Sequence, residues 1–118
     1  MVSRTTRPRG KPVPMLCTYR VRKGKEDAFL EILARHWPTL RKAGLAAPAR
    51  PTVSRSVDRK GRTVFVETFS WAHGQASDLA HASPEVMAVW GPMGKLATEM
   101  EFFDLEPVRP GASRPRRG

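Results

Sequence analysis

The stretch that most limits what this chain can fold into is Thr63 to Trp71, TVFVETFSW. Its side chains alternate as in a strand, with Val64, Val66, Thr68 and Ser70 on one face and Phe65, Glu67, Phe69 and Trp71 on the other. Neither face reads as a solvent face through its central half. A chain of 118 residues has room for one domain with one modest core, and its own helices suffice to cover one side of a sheet. A second copy of the same sheet is the simplest cover for the other side, so this strand implies a homodimer built through strands.

The flanking segments supply the rest of the fold. Thr52 to Asp58 alternates Val53, Arg55 and Val57 with Thr52, Ser54 and Ser56, as an edge strand does. Asp58-Arg59-Lys60-Gly61 joins it to the central strand as a hairpin, with Gly61 supplying the positive φ of a type I turn plus bulge. Upstream, Pro14 to Val21 is a short extended run that ends at Lys23-Gly24-Lys25. Glu26 and Asp27 then open a segment in which Phe29, Ile32, Leu33, Trp37 and Leu40 recur at helical steps. This spacing predicts a helix kinked at Pro38 and closed by Gly44, followed by a loop from Ala46 to Pro51.

Downstream, Gln75 to Ala82 reads as a short helix. Ser83 is an N-cap, Pro84 suits the first helical position and Glu85 the dipole, so a second helix carries Val86, Val89, Trp90, Met93 and Leu96. Gly91-Pro92 predicts a break or kink in it, and Met100 to Pro107 is the last strand. The order is βαββαβ. This is the α+β, ferredoxin-like arrangement, a four-stranded antiparallel sheet with two helices on one face.

The formal charge of +10 suggests nucleic acid until it is located. The segments 1–13 and 109–118 hold eight of the 21 Lys and Arg and none of the 11 acids, so the domain expected over 14–108 is nearly neutral. Rich in Arg, Pro, Gly and Ser and poor in aliphatic residues, both tails read as disordered, solvated arms. No 18-residue apolar run and no signal-peptide pattern is present, so no membrane partner is expected and the cytoplasm is the default location. The single Cys17 has no disulfide partner and no companions spaced as metal ligands, so no metal is expected.

Lys60-Gly61 before an aromatic strand invites comparison with an RNA-recognition domain. Counted from Lys60, however, the positions that should carry stacking aromatics hold Arg62, Val64 and Glu67. The phase is wrong, and specific nucleic-acid binding by the sheet is not expected.

Four kinds of residue in this chain invite chemistry. Glu67, set among Phe65, Phe69 and Trp71, needs a partner if buried, and a structural ion pair with Arg20 or Arg55 on a neighbouring strand is expected. His81 and His36 are candidate bases, against the blander readings of a turn-orienting histidine and a partly packed one. Tyr19, the only tyrosine, is either a phenol donor in a pocket or a plain strand residue. The tryptophans and Cys17 read first as core.

Taken together, Glu67 on a strand with Phe69 and Trp71, an Ala-rich segment ending in Ala80-His81, Ser83-Pro84 before an amphipathic helix, and His36-Trp37-Pro38 in the first helix resemble the antibiotic biosynthesis monooxygenase family. The resemblance spans Met15 to Val108. It implies a dimeric α/β barrel with a pocket between sheet and helices in each subunit. It also implies a monooxygenase that oxidises a quinol-like or phenolic small molecule with O2 and no cofactor. In that reading His81 or His36 is the base, Tyr19 a pocket donor, and Trp37, Phe69, Trp71 and Trp90 the apolar wall. The haem-degrading branch of the superfamily uses an asparagine that this chain lacks, and no histidine follows Ser83 to serve as an axial ligand, which disfavours that activity. The alternative is the same fold without chemistry, as a small-molecule-binding or stress-associated dimer.

Overall fold

The computed structural model describes residues 11–111; of the expected tails 1–13 and 109–118, residues 1–10 and 112–118 lie outside the described residues, and Val13 already belongs to the first strand. Four strands form one antiparallel sheet: β1 (Val13–Val21), β2 (Thr52–Val57), β3 (Thr63–Trp71) and β4 (Ala97–Asp104), in the order β2-β3-β1-β4. Between them run α1 (Glu26–Leu33), α2 (His36–Lys42), α3 (Ala76–His81) and α4 (Pro84–Leu96). This is the ferredoxin-like α+β fold expected from the alternation of patterns. No helix among the described residues is long and apolar enough to cross a membrane.

Register decides which side chains share a face. Met15 pairs with Phe69, Cys17 with Glu67 and with Phe102, and Tyr19 with Phe65. Directly paired residues project to the same side of the sheet, so these side chains form one layer, and the helices cover it. Phe29 and Leu33 of α1, Leu40 of α2, and Val86, Val89 and Met93 of α4 complete that core. Phe29 lies 5.8 Å from Phe65 and 5.2 Å from Tyr19, centroid to centroid. The opposite face carries Leu16, Thr18, Val66 and Thr68, all half-buried, with Val64 buried and Phe103 exposed. No helix covers it.

Local chemistry accounts for the element ends. Gly61 has φ +80°, the Asp58 carbonyl accepts from the Gly61 N–H at 3.0 Å, and the Asp58 N–H donates to the Arg62 carbonyl at 2.9 Å, closing the β2–β3 hairpin as a turn plus bulge. The Ser83 hydroxyl accepts from the Val86 N–H at 3.3 Å, so α4 begins at its expected cap.

Four expectations need correction. The first helix is two helices, parted at Ala34-Arg35 rather than bent at Pro38. Pro38 has no N–H for the Ala34 carbonyl and its ring crowds that carbonyl, so the fault falls four residues upstream. Pro92 does not break α4. It withholds a donor from Ala88, an exposed residue whose carbonyl water can satisfy. The last strand starts at Ala97 directly from α4 and ends at Asp104, with a register shift opposite Arg20-Val21. The expected loop at Ala46 is partly a strand extension. Ala46 bridges Trp71, Ala47 N–H donates to the Ser70 carbonyl at 2.8 Å and Ala72 N–H to the Leu45 carbonyl at 2.7 Å, which pins the end of β3.

Candidate active site

Glu67 stands at the centre of β3, on the covered face, and is 1% exposed. A carboxylate there must have its oxygens satisfied from within. The Tyr19 hydroxyl donates to Oε1 at 2.6 Å, and His36 Nδ1 lies 3.0 Å from Oε1 and 3.2 Å from Oε2. On its far side, His36 Nε2 receives the indole N–H of Trp90 at 2.9 Å. An indole nitrogen can only donate, so Nε2 must be the bare acceptor of the ring and Nδ1 must carry the proton. His36 is thereby fixed as the neutral Nδ1–H tautomer, donating to a Glu67 carboxylate. Trp90, His36, Glu67 and Tyr19 form one continuous chain of hydrogen bonds.

This corrects the partner expected for Glu67. Arg20 has the opposite parity to Tyr19 on β1, so it faces the uncovered side of the sheet, where it meets Asp58 at 3.2 Å, Glu101 at 3.3 Å and Glu99 at 3.6 Å. Arg55 shares the covered face but lies over the Phe65 ring, 5.2 Å from its centroid. Two neutral donors serve Glu67 instead. Burial, and then the Glu67 charge, push the ionisation of the Tyr19 hydroxyl far above its ordinary range, so Tyr19 remains a donor.

A cavity of about 330 Å³ opens beside this chain, between the sheet and the helices. Met15, Cys17, Phe69 and Trp71 floor it from the sheet, Met100 and Phe102 extend the floor along β4, and Ser77, Met87 and Met93 contribute from the helices. His36, His81 and Trp90 share its polar side. His81 is exposed at the rim; its Nδ1–H donates to the Ser77 carbonyl at 2.8 Å and its ring meets Trp90 edge-on, centroids 4.8 Å apart. That bond leaves Nε2 of His81 as its acceptor. The buried indole nitrogen of Trp71 has no hydrogen-bond partner among the described residues.

The residues picked out from the sequence thus divide. His36, His81, Phe69, Trp71 and Trp90 meet on one cavity. Tyr19 does not line it: it is fully buried behind Glu67, packed against Phe29 and edge-on to Phe102. Trp37 lines a separate cleft of about 420 Å³ with Leu30, Pro38, Arg50 and Val53, and Glu67 forms part of the wall of that cleft too. Sequence reasoning missed the sulfur-rich floor. Met15 and Cys17 share the parity of Tyr19, and Met93 follows Val86 and Val89 on the buried stripe of α4, so the signal was present once the covered face was known. Burial, reinforced by the Glu67 charge, pushes the Cys17 thiol up to about 12, which leaves it a protonated wall residue.

Fold and site together define a ferredoxin-like domain with an apolar pocket between sheet and helices. Solved structures of the same architecture include SnoaB, a cofactor-independent oxygenase from Streptomyces nogalater, which is similar at 22% identity, TM-score 0.58, covering 84% of this chain and 97% of that one. An antibiotic biosynthesis monooxygenase aligns at 16% identity and TM-score 0.58 over 82% of this chain and 99% of its own. Rv0793 from Mycobacterium tuberculosis aligns at 20% identity and TM-score 0.56 over 86% and 100%. These likenesses show the fold, the one that the resemblance in the sequence implied. No family model matches the sequence, and no curated protein matches it.

Proposed function

We propose that this protein is a cofactor-independent monooxygenase acting on a phenolic or quinol-like aromatic molecule, and that it works as a homodimer paired through the uncovered sheet face. The observation that carries the reading is His36 on the wall of a largely apolar cavity, with the buried Glu67 bonded to its Nδ1 from behind. A buried carboxylate behind an imidazole holds the ring in one tautomer and stabilises the imidazolium that forms when the ring takes a proton. The oxygenase SnoaB, of the same fold, supports the reaction class.

In this reading the acidic O–H or C–H proton of the substrate passes to His36 Nε2, and the resulting phenolate or carbanion gives its electron pair to O2. The peroxide takes a proton back from His36. Loss of water then cleaves the O–O bond, a second C–H proton leaves, and a CH2 group plus O2 becomes a carbonyl plus H2O. The substrate is the only reductant, so the balance needs no cofactor. Phe69, Trp71 and the methionines exclude bulk water, and the free indole N–H of Trp71 is the donor available to a developing oxyanion. His81, at the rim, has an auxiliary role in ligand entry and in holding Trp90.

Oxygen uptake with a panel of quinols and anthrone-like phenols tests this. Wild type is expected to consume O2, and His36→Ala to lose a factor of about 10² to 10⁴, the usual worth of a positioned base. His81→Ala should lose far less. Equal uptake by wild type and His36→Ala would remove His36 from the mechanism, and no uptake by wild type with any member would leave a ligand-binding dimer as the better reading.

A further inference from the structure

The hydrogen bond from Trp90 to His36 raises a difficulty for any ligand. The one nitrogen of His36 able to accept a proton is already occupied by the indole N–H at 2.9 Å. Among the described residues no second donor is bonded to that nitrogen. The other groups on the wall are thioethers, the protonated thiol of Cys17, aromatic rings, Ser77, the indole N–H of Trp71, which is bonded to no described residue, and His81, whose own Nδ1–H is committed to Ser77. A ligand that pushes Trp90 aside without supplying a donor leaves a buried acceptor bare, and that costs free energy.

We propose that Trp90 is a specificity gate: its indole N–H stands in for the substrate hydroxyl, so the cavity selects aromatic ligands that bring their own O–H donor to His36 and discriminates against those that carry only acceptors. The inference rests on the cavity being the ligand site, as argued above, but not on the ligand being oxidised. The local structure suits a side chain that must yield. Trp90 is half-buried against the core, it belongs to α4 immediately before Gly91 and Pro92, and the exposed His81 ring meets it edge-on, centroids 4.8 Å apart. An exchange of one donor for another is close to neutral in hydrogen bonding, and the aromatic ligand gains the apolar contacts of the floor. The gate also gives the two histidines distinct tasks. His36 reads the hydroxyl, and His81 props the side chain that the hydroxyl displaces.

Binding without turnover tests the gate, using 1-naphthol and its methyl ether, 1-methoxynaphthalene, as probes under anaerobic conditions. The two share size and ring but only the first has a donor. With wild type, naphthol is expected to bind on the order of tenfold or more tighter than the ether, the penalty for one buried unpaired acceptor. Naphthol should also shift the Trp90 indole N–H resonance out of its hydrogen-bonded position. In Trp90→Phe, which keeps an aromatic ring and removes the donor, naphthol should bind tighter than to wild type, because no existing bond has to break. Equal affinity for the two probes, or naphthol binding with the Trp90 resonance unmoved, would overturn the gate even if oxygen uptake depends on His36. Failure of both probes to bind would overturn the cavity as the ligand site and the gate with it. The wild-type resonance measurement stands whether or not the variant folds.

Discussion

The two faces of the one sheet handle charge in opposite ways. On the covered face a single carboxylate, Glu67, is buried among aromatic and sulfur side chains and is satisfied by neutral donors, Tyr19 and His36. On the uncovered face Arg20 sits among Asp58, Glu99 and Glu101, with Arg62 joining Asp58 at 2.8 Å and Glu99 at 3.6 Å. The difference shows what each is for. Exposed ion pairs contribute little to stability and are easily replaced, whereas a buried carboxylate with no cation beside it is costly to keep and tolerable only because its hydrogen bonds are made. A fold that needed only stability at Glu67 would be served by an apolar residue of similar size.

The largest effect should follow from breaking the covered face. Glu67→Leu strands the Tyr19 hydroxyl and the His36 Nδ1–H together, at about 1–3 kcal/mol each, so denaturant unfolding should show a loss of about 4 kcal/mol and a sharply weaker oxygenase. A loss below about 1 kcal/mol would mean that the network is dispensable. The uncovered face comes next. Val66→Lys puts an unpaired charge where the partner sheet is proposed to pack, and it should raise the dimer dissociation constant by about 100-fold or more, near 3 kcal/mol. Light scattering should then report a mass near 13.2 kDa where wild type reports twice that; a wild-type mass of one chain at micromolar concentration would refute the dimer.

The smallest effect belongs to Asp58. Its carboxylate accepts the backbone N–H groups of Lys60 at 2.8 Å and Arg62 at 2.9 Å, and the Arg62 backbone bond, ahead of the two arginine side chains, holds its ionisation well below the usual carboxylate range. A depressed folded value means that the contribution is fully present above the unfolded value, about 3.9, and is lost as the pH falls through the lower folded one. Asp58→Ala should therefore melt slightly below wild type at pH 7, with the gap closing as the pH drops below about 4. A gap that persists undiminished at lower pH would show that the turn, not the charge, sets the effect.

Much of this architecture could be read from residues that act locally. Ser83-Pro84-Glu85 carries its own cap chemistry, Gly61 its own turn, and β3 its own alternation, and each stands where its local signal put it. The site was less legible because it depends on register and helix rotation. Glu67 and Tyr19 are 48 positions apart, and Glu67 and His36 are 31 apart. Only the β1–β3 pairing and the rotation of α2 bring them together. The helical stripe was also misjudged by one residue. Phe29, Leu33, His36 and Leu40 are the buried set, at steps of four, three and four, so His36 joins the stripe, while Trp37 is half-buried, packing against the core and lining the second cleft. The arginine partner for Glu67 failed for a related reason: parity alone sends Arg20 to the other side of the sheet.

Glu67 and Trp90 together hold His36 neutral, with its proton on Nδ1 and its basic nitrogen reserved for a donor. A long-range proton–nitrogen correlation spectrum of the ligand-free protein at neutral pH reads this directly. His36 is expected to show a protonated Nδ1 and a bare, hydrogen-bond-accepting Nε2. A proton on Nε2, whether in the opposite tautomer or in an imidazolium, would contradict it.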